Sequence, residues 1–351
     1  MTTLRAATTL LLTLHAAVIV SRPHAGVSAA TAAGPDGPAA PARLVDTGLY
    51  ANGQIGVVSD ANRPFAPQYP LWTDGATKSR WIYLPPGTAI DATNNADWEF
   101  PVGTRFWKEF RFGGRPVETR FLWRASADRW VFASYVWTAD AADAVLAPAA
   151  GIANVAPVTP TKGHSIPAVS DCRACHGDRR IEPLGFNALQ LSADRDPAAL
   201  HGELLTGRMW TVRSLVAEGR LRTVDDTPIR SDVRISGDAA TRTIVGYLST
   251  NCGSCHRAGA DIALLGTSLK HSDVLDGDRT LTRMLDHHTR WQVPGVADGE
   301  SRLLDRHHPD ASALLTRMRS RRPSSQMPPI GTVVADRAAI DRIREWMVSP
   351  R

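Results

Sequence analysis

Cysteine is scarce in this chain, with four in 351 residues. None of them lies near the amino terminus, so a lipid-modified anchor is not expected there. None is left over either: Cys172-Arg-Ala-Cys175-His176 and Cys252-Gly-Ser-Cys255-His256 use all four. Net charge is also small, +5 at a sequence pI of 9.3. Without Arg5 and Arg22 near the amino terminus it falls to +3, which is weak grounds for an acidic partner and none for nucleic acid. The one long apolar run, Ala6 to Val20, is too short for a comfortable membrane span.

The two C-x-x-C-H pentads carry the most specific chemistry. Two thiols two residues apart, followed at once by a histidine, meet the requirements for attaching a haem through its vinyl groups. The cysteines form thioethers and the adjacent imidazole becomes the proximal iron ligand. Paired cysteines also suit a structural zinc site, two disulfides or thioredoxin-like dithiols. None of these gives a reason for a histidine directly after both pairs. The expected cofactors are therefore two covalently bound haems, on Cys172, Cys175, Cys252 and Cys255, with His176 and His256 on the irons.

The amino-terminal segment fits that chemistry. A basic Met1–Arg5, the apolar run and the small residues around Val27-Ser28-Ala29 read as a secretory signal peptide over 1–29, with an uncleaved anchor as the competing reading. Haem attachment takes place beyond the bacterial cytoplasmic membrane, where such a leader sends the chain. A periplasmic or otherwise exported protein is expected, with membrane contact at most peripheral. Residues 30–48, rich in Ala, Gly and Pro, read as a disordered linker.

Residues 49–140 differ in texture. Seven of the ten tryptophans and six of the eight phenylalanines fall between Trp72 and Trp137. Phe106, Lys108, Phe110 and Phe112 alternate with Trp107, Glu109 and Arg111, the period of a strand. Gly113-Gly114 then turns the chain into Val117–Trp123, and Ala125–Asp128 turns it into Trp130–Trp137. The prediction is an antiparallel β-rich domain whose aromatics are inward-facing and cross-strand pairs. Asp74, Lys78, Lys108 and Glu109 are candidate acids and bases, but no spacing singles them out and they read as solvated charges.

After an Ala-, Pro- and Gly-rich connection over 141–163, two helical regions are expected. Residues 160–230 hold the first pentad, with a helix predicted from Pro197 through Leu200, Leu204, Leu205 and Met209, and a short one over 213–222. Residues 236–351 hold the second. Asp238 caps a helix running through Ile244 and Leu248 into Cys252, and Asp336 to Met347 forms a closing amphipathic helix. Between them Met327-Pro328-Pro329 presents a thioether on an extended loop.

At these residues the chain resembles the cytochrome c family. A helix ending in Cys252-Gly-Ser-Cys255-His256, a later Met327-Pro-Pro and a closing helix with Trp346-Met347 resemble a class I cytochrome c domain. The resemblance implies haem on Cys252 and Cys255, His256 as proximal and Met327 as distal ligand, a pair that raises the potential. More loosely the chain is similar to exported bacterial dihaem cytochromes with a tryptophan-rich β region. Trp72-Thr-Asp-Gly75, Phe100-Pro-Val-Gly-Thr104 and Ile166-Pro167 carry that similarity. The fold class expected is thus a multidomain α+β chain, a β-rich domain followed by an all-α cytochrome c-like dihaem region.

The first pentad has no Met-Pro-Pro loop of its own. Met209, His164 and His201 are its candidate distal ligands, and an open position is the further option. The pairs His287-His288 and His307-His308 read as surface residues. The function expected is an electron carrier between a donor, such as a periplasmic dehydrogenase, and an acceptor redox protein. The rivals are a dihaem peroxidase-like enzyme and an oxidoreductase whose β domain binds a substrate.

Overall fold

The computed structural model describes residues 38–177, 183–258 and 268–349. The expected leader, the first part of the linker and residues 178–182, just after the first pentad, lie outside the described residues. Among the described residues ten strands occur in chain order: β1 (Arg63–Pro64), β2 (Thr77–Tyr83), β3 (Ile90–Asp91), β4 (Arg105–Phe112), β5 (Arg115–Arg124), β6 (Trp130–Trp137), β7 (Ala144–Leu146), β8 (Ile152–Pro157), β9 (Gly163–Ile166) and β10 (Leu221–Arg222). Six of them form one antiparallel sheet in the order β1-β2-β4-β5-β6-β7. The β4–β5 turn is Gly113-Gly114, both at positive φ, the conformation that a tight hairpin demands and that glycine adopts without a steric penalty.

Both faces of this sheet are buried, which is why aromatic residues occupy successive positions along β4. Trp107, Phe121 and Tyr135 point to one face, closed by Leu44, Leu49 and Tyr50 from the segment before β1. The Trp107 indole N–H donates to Thr47 Oγ1 at 2.9 Å, so its polar edge is satisfied inside the core. Phe106, Leu122 and Phe132 point to the other face, closed by Phe186, Leu191 and Trp210 from far downstream. Cross-strand pairs such as Trp81 opposite Trp107 and Phe106 opposite Leu122 join the strands.

Six α-helices complete the described residues: α1 (Val169–His176), α2 (Val212–Ala217), α3 (Ala239–Cys252), α4 (Gly277–Met284), α5 (Ala313–Arg319) and α6 (Arg337–Val348). Leucines and isoleucines of α3, α4, α5 and α6 share a core that also takes in Tyr69 and Leu189. The Tyr69 ring lies directly on Gly246 of α3, where any β-carbon would collide with it.

The expected all-α dihaem region does not form. The described residues form a mixed α/β fold with helix only in short pieces, and they make one compact unit. The helix predicted from Pro197 is a string of turns, with Leu204 90% exposed. Pro197, Gly202 and Gly207 interrupt the leucine spacing, and His201 sits at φ 57°, outside the helical region. This stretch is ordered by polar bonds to the sheet side instead. The Arg195 guanidinium donates to the carbonyls of Ala66, Pro67, Gln190 and Glu203 at 2.9 to 3.3 Å. Over 213–222, α2 stops at Ala217 and the rest turns into β10.

Candidate cofactor site

The first pentad lies on α1. Asp171 starts this helix by accepting the Ala168 N–H at 3.0 Å, and an acid in the first turn complements the helix dipole. The i, i+3 spacing puts Cys172 and Cys175 on one face. Cys172 packs against the sheet's second core, and the His176 ring is 5.6 Å from Phe132 of β6. The second pentad begins at the last residue of α3, whose first turn is capped by Asp238 accepting from Thr241 N–H at 2.7 Å. The turn then continues tightly, with Cys255 N–H and His256 N–H both donating to Cys252 O at 3.1 and 2.8 Å.

The two pentads meet: Cys255 Sγ lies 3.9 Å from the carbonyl of Ala174, the residue before Cys175. The neighbouring Cys175 thiol, with the Ser254 hydroxyl and the Arg257 charge, outweighs burial and lowers the pKa of Cys255. The Cys255 thiol and burial push Cys175 up. Burial pushes Cys252 up to about 12 and raises Cys172 as well. Among the described residues no three His, Cys, Asp or Glu side chains are grouped as a metal centre, so the four thiols do not converge as a zinc site would require.

All four cysteines, His176, His256 and Met327 line one cavity of about 400 Å³, within the range of cofactor sites. Met327 is held by its N–H, which donates to Arg317 O at 3.0 Å. The loop that carries it is tied to the Trp72–Gly75 turn. Asp74 accepts from Val333 and Val334 N–H at 2.8 and 3.0 Å, and Trp72 Nε1 donates to Val334 O at 3.4 Å. Trp72 N–H also donates to Asn251 Oδ1 at 2.8 Å, one residue before the second pentad. A single turn thus fixes both Cys252 and the Met327 loop.

The remaining candidate ligands stand away from the cavity wall. His164 is buried between Glu118, 2.9 Å from its Nε2, and Asp74, 4.0 Å from its Nδ1. Burial works against its protonation, but these two carboxylates raise its pKa. His201 bonds Asp336 at 2.8 Å and lies 4.8 Å from the Trp72 ring. Met209 is half-buried in the turn that follows Thr206, and it is not among the cavity-lining residues. His287, His288, His307 and His308 are exposed.

Of the charges expected to be solvated, Lys78 and Lys108 are half-buried and the two carboxylates are buried. Asp74 and Glu109 are 7% and 2% exposed. Lys108 lines the cavity, together with Arg80 and Arg120, and these were not singled out as a group by any sequence pattern. Register places Arg80 of β2 opposite Lys108 of β4, and Lys108 opposite Arg120 of β5. Glu118, fully buried, grips Arg120 with both oxygens at 2.8 and 3.1 Å and also accepts from Ser134 at 3.0 Å. Burial alone would raise its pKa; Arg120 and His164 outweigh that and bring it to about 2.

Compared with protein-family models, curated proteins and solved structures, the chain matches none.

Proposed function

We propose that this chain is an exported dihaem c-type cytochrome that passes electrons between a donor, such as a periplasmic dehydrogenase, and an acceptor redox protein. The observation that carries the proposal is the convergence of both pentads on one largely apolar cavity that Met327 also lines. Seven side chains of the types that haem attachment and axial ligation need face the same space. Cys172 with Cys175, and Cys252 with Cys255, would form the thioethers. His176 and His256 would be the proximal ligands and Met327 the distal ligand of the second haem. When bound, the two haems supply one-electron redox chemistry.

The chain's own contribution is placement and shielding. Phe106, Leu122 and Leu314 keep the cavity wall apolar, which limits water and raises the cost of oxidised, more positive iron. Asp74 and Trp72 hold the Met327 loop and the end of α3 in one arrangement. Oxidised holoprotein with two low-spin signals in its EPR spectrum is the expected result for a carrier with both irons six-coordinate. A second reading rests on one specific observation: neither Met209, His164 nor His201 lines the cavity. If the iron at His176 is open, one signal is high-spin and responds to peroxide, and the chain is then an enzyme of the dihaem peroxidase type.

A further inference from the structure

Three cations stand in a row across the sheet, on the wall of the cavity. Arg80, Lys108 and Arg120 occupy directly opposite positions on β2, β4 and β5. Like charges placed so are mutually destabilising. Two carboxylates offset part of the repulsion: Glu203 is 2.6 Å from Arg80, and Glu118 holds Arg120. Lys78, two residues before Arg80 on the same face, adds a fourth cation. Among the described residues no carboxylate lies within ion-pair distance of the Lys108 ammonium, which sits 5.0 Å from the centre of the Phe110 ring. Burial, then Arg80, Lys78 and Arg120, depress its pKa well below the usual lysine value.

Arg80 supplies a second, independent observation. Its side chain is 3% exposed. One terminal nitrogen bonds Glu203, but Nη2 is buried with no hydrogen-bond partner among the described residues. A buried guanidinium N–H without an acceptor carries the full cost of its desolvation, more than a neutral donor would. An unanswered donor beside an uncompensated ammonium, both on a cavity wall, is the arrangement an anion would complete. A carboxylate is the anion whose two oxygens match that pair, one taking the planar guanidinium N–H and the other the ammonium.

We propose that Arg80 and Lys108, backed by Arg120, form a carboxylate-binding seat inside the cavity. The carboxylate has two possible sources, a propionate of a covalently attached haem or a free carboxylate ligand. The first source rests on the proposed haem function and the second does not.

The test uses purified protein and the variants Lys108→Met, Lys108→Gln and Arg80→Gln. Lys108 has no ion-pair partner to orphan, so its variants are expected to fold, and circular dichroism checks that they do. Each protein is titrated calorimetrically with acetate, and the holoprotein's two midpoint potentials are measured. If a propionate occupies the seat, acetate does not bind, and each variant lowers one haem's midpoint while the other stays in place. If the seat takes free carboxylates, wild type binds one acetate and the variants bind it at least tenfold more weakly. Absence of acetate binding together with unshifted midpoints in the folded variants overturns the seat. Protein purified without covalent haem would refute the haem reading. The acetate titration on that same protein would still decide the seat, with binding lost in the variants supporting it and no binding overturning it.

Discussion

Replacing Glu118 with Gln is the most informative perturbation of the sheet. The carboxylate is fully buried, bonds Arg120 bidentately, and sits 2.9 Å from His164. Glu118→Gln removes the counter-charge of Arg120 and one of the two carboxylates facing His164, and removing one member of a buried pair costs about 3–5 kcal/mol. The carboxyl pKa gives the same scale: a fall from its ordinary 4.5 to about 2 corresponds to about 3 kcal/mol. The pH dependence has a defined sign. Glu118 titrates below its ordinary value, so its stabilisation is complete above 4.5 and is lost as pH falls through about 2. His164 is shifted the other way, so its share is complete below its ordinary 6.5 and fades as pH rises through the raised value. The gap between wild type and Glu118→Gln is therefore widest between about pH 4.5 and 6.5. Urea denaturation at pH 6 should show the midpoint lowered by about 1 M, for a slope of about 3 kcal/mol per M. A loss below about 1 kcal/mol at pH 6, or a gap undiminished at pH 2.5, would refute the reasoning.

Three further expectations concern the other parts of the structure. Gly246→Ala drives a methyl into the Tyr69 ring and should destabilise by about 1–3 kcal/mol; the double variant with Tyr69→Ala should recover less than additive loss in the same denaturation assay. Asp74→Ala leaves the Val333 and Val334 N–H groups without their acceptor. It should increase hydrogen exchange at those two amides, whereas unchanged protection would show that the loop does not depend on Asp74. Met327→Ala should weaken the red-edge thioether–iron absorption and lower one haem's midpoint while both haems stay attached; an unchanged midpoint removes Met327 as the ligand.

The sheet was legible because its signal is local. Alternation over Arg105–Phe112 and the Gly113-Gly114 break state strands and a turn within a dozen residues. The Arg80–Lys108–Arg120 row was not, since it exists only after three separate segments are brought into register. A lone lysine between phenylalanines carries the same pattern whether it meets water or a cavity. The helical expectation failed for a related reason. Leu200, Leu204, Leu205 and Met209 have helical spacing, but the stretch finds its order in bonds such as Arg80 to Glu203, His201 to Asp336 and Arg195 to Glu203 O rather than in its own backbone ladder. Trp72-Thr-Asp-Gly75 stands out in the sequence as a motif, but its role in tying Asn251 to the Met327 loop depends on contacts with residues 179 and 262 positions away.

The most direct test of the central claim is the intact mass of the protein expressed with a haem-attachment system, measured after denaturation and extraction of non-covalent haem. The account requires a mass increment of two haems, reduced to one in Cys172→Ala with Cys175→Ala. An apoprotein mass with four alkylatable thiols, or two haems retained by that double variant, would contradict it.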